Sequence, residues 1–145
     1  LSGAGHFRIA MPPEATEAAA DLDIYVFNPS NVMVASSTAG GTDELIDIPN
    51  PANGIWKVYV HGWSAPGGDS DYHMWTWAVP AAAGGGSLSV TSAPTSATIG
   101  TVGTVVAGWS GVTSGAIGDW FLGAVSHTGP SGLMGRTLVN VDNRP

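Results

Sequence analysis

The chain has 145 residues, of which 43% are hydrophobic and 10% charged, and eleven acidic residues against four basic ones give a net charge of −7. A nucleic-acid-binding surface requires a basic patch that this composition does not supply, and an anionic membrane surface would repel the chain. Cysteine is absent, so disulfides play no part, and no apolar run approaches the ~18 residues of a membrane-spanning helix. The chain starts at Leu1 rather than Met, which we interpret as a processed product or a piece of a longer protein.

The first half of the chain is predicted to form strands that end at proline or Gly-rich turns. Glycine (21 residues) and proline (10 residues) are abundant, which favours short strands and many turns over helices. The predicted strands are 6–12, 21–28, 32–39, 45–48, 55–63 and 72–79. Residues 14–20 alone have helix propensity, and because the stretch is too short to stand alone we expect a loop or one turn.

Two of these strands alternate clearly between apolar and polar positions. In 55–63, alternation puts Ile55, Lys57, Tyr59, His61 and Trp63 on one face and Trp56, Val58 and Val60 on the other. In 21–26, it puts Leu22, Ile24 and Val26 on one face and Asp21, Asp23 and Tyr25 on the other. Each strand is therefore predicted to bury one face.

The second half begins after a run of small residues. We divide the chain into a sandwich part at 1–80, an Ala/Gly linker at 81–87 and a smaller β part at 88–145 with strand candidates at 88–93, 104–111, 119–128 and 136–141. Four short strands make a poor independent core, so the second part is expected to pack on the first, share its core or extend its sheets. The predicted fold is an all-β, antiparallel β-sandwich or jelly roll.

Sequence motifs do not indicate an enzyme. The nucleophile pattern G-x-S-x-G is missing, the four histidines are scattered without zinc-ligand spacing, and GGGS at 84–87 lacks the lysine and the helix of a phosphate loop. A pair of carboxylates could serve a glycosidase, but the sequence shows no cleft for a sugar. For His61 and His73 we expect a hydrogen bond to a neighbouring loop.

The aromatic residues allow two interpretations. Trp56, Trp75, Trp109 and Trp120 are expected in the core or at its edge. Trp63 and Trp77 are ambiguous in the pattern, and with Tyr25 they are the candidate contacts for a sugar or peptide ligand.

Acidic residues provide the candidate metal site. Asp21 and Asp23 project about 7 Å apart from one strand face, and Asp43 and Glu44 lie in the predicted loop AGGTDE at 39–44. Four carboxylates could supply oxygen ligands for calcium, although no EF-hand loop is present. Asp69 and Asp71 form a second acidic loop. The alternative is that these carboxylates are solvated or cap loop amides.

The order of short motifs resembles a known family. The segments DLDIYVFNPSN, VASSTAGGTDELIDIPNPANGIWKVYVHGW and SDYHMWTWAV are similar to the bacterial pre-peptidase C-terminal (PPC) domain. The remainder, with AGWSG and DWFLGAVSHT, resembles the segment that trails this domain in secreted subtilisin-like serine proteases. Two departures are Trp120-Phe121, where relatives show Tyr, and the insertion GAIGD at 115–119.

The resemblance implies a non-catalytic accessory domain of a secreted serine protease that aids stability, secretion or substrate docking. Its implied partners are an upstream protease catalytic domain and a protein or polysaccharide substrate, with no nucleic acid and no membrane. Some relatives bind calcium near the Asp-Leu-Asp strand, which again selects Asp21, Asp23, Asp43 and Glu44. The alternatives are a stand-alone extracellular adhesion or ligand-binding module and a structural subunit of an extracellular assembly.

Overall fold

A computed structural model describes residues 1–84, 86–111 and 119–144. The chain divides into two compact units, Leu1–Ala83 and Gly84–Pro145. Every strand pairing is antiparallel, and the described residues hold strands and one short 3-10 turn but no α-helix. The all-β, antiparallel prediction is therefore confirmed, while the packing of the second part on the first stays a prediction.

The first unit is a sandwich of two three-stranded sheets. Its strands are β1 (Ala4–Met11), β2 (Asp21–Phe27), β3 (Met33–Ser37), β4 (Glu44–Pro49), β5 (Lys57–Ser64) and β6 (Trp75–Pro80). One sheet has the order β4-β1-β6 and the other has the order β3-β2-β5. The central strands β1 and β2 are joined through the 3-10 turn Pro13–Ala15, so residues 14–20 hold one turn and a loop, as predicted.

The core lies between the two sheets and is built from the inward faces of their central strands. From β1 it takes Phe7, Ile9 and Met11, and from β2 it takes Leu22, Ile24 and Val26. Trp56, Val58, Val60 and Trp75 pack against this cluster as partly buried residues. The alternation read from 21–26 and 55–63 therefore identified the inner faces correctly.

The second unit consists of two antiparallel pairs. Its strands are β7 (Ser89–Ser92), β8 (Val106–Gly108), β9 (Trp120–Gly129) and β10 (Gly132–Asp142), with β7 paired to β8 and β9 paired to β10. The tight turn between β9 and β10 uses Gly132 at a φ of 100°, a conformation that favours glycine. Gly85 of the predicted linker and residues 115–118 of the GAIGD insertion lie outside the described residues.

One sequence-based expectation for the tryptophans, that for Trp109, needs correction. Trp109 is 49% exposed rather than buried, because β8 ends one residue before it. Trp120 is only half-buried, where its indole Nε1 donates a hydrogen bond to Asn140 at 2.6 Å and the Arg144 guanidinium lies 3.9 Å from its ring centroid. In the second unit, Trp109 therefore lies just beyond a strand and Trp120 is the first residue of one.

A polar cluster on the outer face of the β4-β1-β6 sheet ties β1 to β4. Asp47 accepts two hydrogen bonds from the Arg8 guanidinium, each of 2.7 Å, and lies 2.7 Å from His6 Nε2. Partial burial of the Asp47 carboxyl raises its pKa, but hydrogen bonds and charge from Arg8 and His6 outweigh this and leave the pKa below 3.8.

We expect this cluster to make the fold sensitive to acid. Because the pKa of Asp47 is lower in the folded chain, its contribution is complete above the unfolded pKa of about 3.9 and is lost as pH falls through the folded pKa. Asp47→Asn should therefore flatten the decline of the melting temperature between about pH 5 and pH 2, measured by circular dichroism. Asp69→Asn, in an exposed loop, is the control, and an unchanged slope in Asp47→Asn would contradict the assignment.

Candidate functional site: an aromatic and acidic sheet face

The outer face of the β3-β2-β5 sheet carries most of the residues singled out from the sequence. On β2 it presents Asp21, Asp23 and Tyr25, and on β5 it presents Tyr59 and His61. Asp23 pairs with His61 across the strands, and Tyr25 pairs with Tyr59. The face follows directly from strand alternation, since the apolar positions of both strands are used by the core.

A β-bulge places Trp63 beside the two aspartates. The register runs from Leu22 opposite Gly62 to Asp21 opposite Ser64, so Trp63 is an extra residue with no partner on β2. Bulges of this kind bend the strand and redirect a side chain. Trp63 is 72% exposed, and together with Asp21, Asp23, Tyr25 and Thr38 it lines an open pocket of about 280 Å³.

An apolar groove adjoins this acidic pocket, and Tyr25 lines both. The groove has a volume of about 530 Å³ and is lined by Tyr25, Phe27, Asn31, Lys57, Tyr59 and His61. Its rings meet edge to face: the centroids of Phe27 and Tyr59 are 5.3 Å apart, and those of Tyr25 and His61 are 6.3 Å apart. At the far end, Lys57 Nζ donates a hydrogen bond to Asn31 at 2.6 Å. The face is thus aromatic in the middle, acidic at one end and basic at the other.

Asp23 is the buried anion of the face. Its residue is only 5% exposed, and Oδ2 accepts from the Tyr25 hydroxyl at 3.3 Å and lies 3.2 Å from His61 Nδ1. Burial and the charge of Asp23 raise the pKa of Tyr25 above 10.0, so this hydroxyl keeps its proton and donates it. The prediction that His61 bonds a loop is wrong, because its partner is on the neighbouring strand β2.

Asp21 holds the Gly-rich loop against the sheet. Its Oδ1 accepts from the Gly41 N–H at 3.1 Å, and the Leu22 N–H donates to the Gly41 carbonyl at 3.1 Å. Gly41 has a φ of 104°, which a residue with a side chain rarely adopts. Among the described residues, the Asp21 Oδ2 atom has no hydrogen-bond partner and remains available to a ligand.

Glu44 is buried on the core side of β4. It is 1% exposed and shares an inward face with Ile46, and neither of its carboxyl oxygens has a hydrogen-bond partner of good geometry. Burial raises the pKa of Glu44 above 4.5; the nearby Ser37 side chain lowers it in part, while the charges of Asp23, Asp21 and Asp43 raise it further. The four acidic residues are therefore neighbours, although Asp43 is exposed and Glu44 is inside.

These neighbours do not converge into a coordination set. Among residues 1–84, 86–111 and 119–144, no three Asp, Glu or His side chains lie close enough together to hold one metal ion. Asp23 is already engaged by His61 and Tyr25, and Asp21 by Gly41. Calcium binding would require the four carboxylates to move closer together than they are in this structure.

The three predicted ligand contacts are not brought together. Tyr25 and Trp63 line the same pocket, but Trp77 is on β6 in the other sheet, opposite Arg8. Sequence reasoning also left out Phe27, Tyr59 and Thr38 as site residues. Phe27 and Tyr59 could have been found by extending the outward alternation of β2 and β5. Thr38 was placed within the predicted strand 32–39, but β3 ends at Ser37 and Thr38 follows it.

Comparison with known proteins gives one family. Residues 4–62 match the family model described as the bacterial pre-peptidase C-terminal domain. This chain contains a PPC-like domain. The match begins at the first residue of β1 and ends within β5, so it includes Asp21, Asp23, Glu44 and the groove.

The PPC-like domain is completed by a strand outside the matched segment. β6 pairs along the length of β1, from Ala4 opposite Pro80 to Ala10 opposite Trp75. Neither the curated proteins nor the solved structures gave a match. PPC domains are non-catalytic accessory domains typical of secreted proteases. In the described parts of this chain, no helix is long and apolar enough to span a membrane.

Proposed function

We propose that this chain is the non-catalytic C-terminal accessory domain of a secreted subtilisin-like serine protease, and that it docks the enzyme on its substrate. The single observation that carries the proposal is the exposed aromatic face on β2 and β5 of the PPC-like domain. Exposed aromatic rings are typical of surfaces that contact a partner, which favours docking over a role in secretion alone. Rigid aromatic rings on a flat sheet provide contact area at a low entropic cost.

The gene provides the first test of this proposal. A subtilisin-like catalytic domain is expected upstream of Leu1 in the full precursor. A precursor with a catalytic domain of another class, or with none, would contradict the link to a serine protease.

Enzyme kinetics provide the second test. Removing residues 1–145 from the full-length protease should slow hydrolysis of an insoluble protein and leave hydrolysis of a short soluble peptide unchanged. The reason is that docking raises the effective concentration of enzyme at a surface without altering the catalytic site. An equal loss on both substrates would instead indicate a role in stability.

The same face supports one other function, a stand-alone extracellular ligand-binding module. Retention of the isolated chain on insoluble collagen, cellulose or chitin, combined with a gene that lacks a protease domain, would favour it. Flow-through from all three matrices would count against it.

Calcium binding by Asp21, Asp23, Asp43 and Glu44 is a further prediction. A ligand that binds only the folded chain stabilises it, and with a Kd of about 1 mM, about 10 mM calcium would add about 1.4 kcal/mol to the free energy of unfolding. The melting temperature should rise accordingly, and Asp23→Ala should abolish the rise while Asp69→Ala keeps it. An unchanged melting curve would contradict calcium binding at these residues.

A further inference from the structure

We propose that the acidic pocket at Trp63 binds the lysine or arginine side chain of an extended peptide whose neighbouring apolar residues lie along the aromatic groove. This inference rests on the proposed docking function and names the chemistry that the docking face would recognise. The pocket, the groove and the bulge that positions Trp63 each contribute a separate observation.

Charge is the first of these. The pocket contains two carboxylates, and the free Oδ2 of Asp21 is the available acceptor. A guanidinium or an ammonium is the group that carboxylates of this kind bind most strongly in a protein ligand. The net charge of −7 also favours the approach of a cationic partner.

The ring of Trp63 is the second observation. A cation held between a carboxylate and an indole face gains from both, and tryptophan is the most favourable ring for this interaction. The ring is not part of the core, since the bulge sets it outside the regular pairing of β2 and β5. One edge of the indole contacts His61, with ring centroids 6.2 Å apart, but the residue remains 72% exposed beside two aspartates, so the ring is accessible to a ligand.

The third observation is the size of the pocket and its continuity with the aromatic groove. At about 280 Å³ the open pocket has room for one long side chain. It adjoins the groove through Tyr25, and the groove runs along β5 toward Lys57. An extended peptide advances about 3.3 Å per residue, so residues two apart in the ligand would match the spacing of His61 and Tyr59, which are in regular register on β5.

The test uses the 145-residue chain and blocked peptides in the presence of a calcium chelator. The peptides contain four alanines around a central arginine, lysine, norleucine or glutamate. Binding is followed by the NMR signal of the Trp63 indole N–H, which is identified by its absence in Trp63→Ala. The arginine and lysine peptides should bind about tenfold more tightly than the norleucine peptide, and the glutamate peptide least.

Two variants and a matched control locate the binding. Asp21→Asn keeps the oxygen that accepts a hydrogen bond from the Gly41 N–H and removes only the charge. The variant should therefore fold normally, and its affinity for the arginine peptide should fall about fivefold. Trp63→Ala, at a 72% exposed position, should lower the affinity for the arginine peptide to a similar degree, as measured by calorimetry. Asp69→Asn changes the net charge equally in an exposed loop outside the pocket and should have no effect.

Several results would overturn the proposal. Equal affinity for the norleucine and arginine peptides would exclude charge recognition, and no shift of the Trp63 signal up to about 10 mM peptide would exclude binding. A shift produced by cellohexaose or chitohexaose but by no peptide would assign the face to a saccharide. None of these results depends on the gene upstream, so this proposal and the protease assignment fail separately.

Discussion

Replacing Ile24 with alanine is expected to lower the free energy of unfolding of the first unit by about 2–5 kcal/mol. Ile24 has no exposed surface and lies on β2, the central strand of its sheet, with partners on β3 and β5. The substitution removes three carbon atoms from a site surrounded by strands of both sheets, where neighbours collapse only partly into the space. The Ile24→Ala substitution therefore tests whether the two sheets form a single packed core.

Urea denaturation followed by far-ultraviolet circular dichroism measures the effect. Ile55→Ala is the matched control, because the same change at a position that is 81% exposed should alter the free energy of unfolding by less than about 0.5 kcal/mol. Similar values for the two variants would contradict the sandwich core described for β1 and β2.

Replacing Glu44 with methionine is expected to raise the free energy of unfolding by about 1–3 kcal/mol at neutral pH. Glu44 is buried opposite Met11 of β1, and its two oxygens lack good hydrogen-bond partners, so an apolar side chain of similar length removes an unfavourable desolvation. In a unit of this size the melting temperature should rise by about 4–8 °C per kcal/mol.

The pH dependence provides an internal check on Glu44. Because its pKa is raised in the folded chain, the wild-type protein loses stability as pH rises from the unfolded pKa of about 4.3 to the folded pKa. The advantage of Glu44→Met should therefore be smallest at acidic pH and constant above the folded pKa. Melting curves in a calcium chelator measure this advantage, and a variant that is less stable at every pH would contradict the burial argument.

Strand positions and inner faces could be predicted because each is encoded locally. In β2, the alternation of Leu22, Ile24 and Val26 with polar residues is a property of consecutive residues, and the same holds for Val58 and Val60 of β5. The position of Glu44 could also have been read, since it continues the inward series of Ile46 and Ile48 by one step. Glu44 was instead predicted to lie in the loop 39–44, and a carboxylate on a core face is rare.

The arrangement of the site could be predicted only in part. The pairing of Asp23 with His61 depends on how β2 and β5 align, and the position of Trp63 depends on a bulge that shifts the alignment by one residue. Neither leaves a mark in a single sequence, because alternation continues through residue 63 as though the strand were regular. Trp77 was grouped with Tyr25 and Trp63 because a single sequence does not tell which sheet a strand joins.

The position of β1 between β4 and β6 has a consequence for biosynthesis. The first strand in the chain receives its second partner only when residues 75–80 are available, and that partner lies beyond the segment that matches the family. Long-range pairing of this kind is slow, and it must wait for the late strand. A nascent polypeptide therefore cannot close this sheet until about residue 80 has left the ribosome, and until then one edge of β1 lacks its hydrogen-bonding partner.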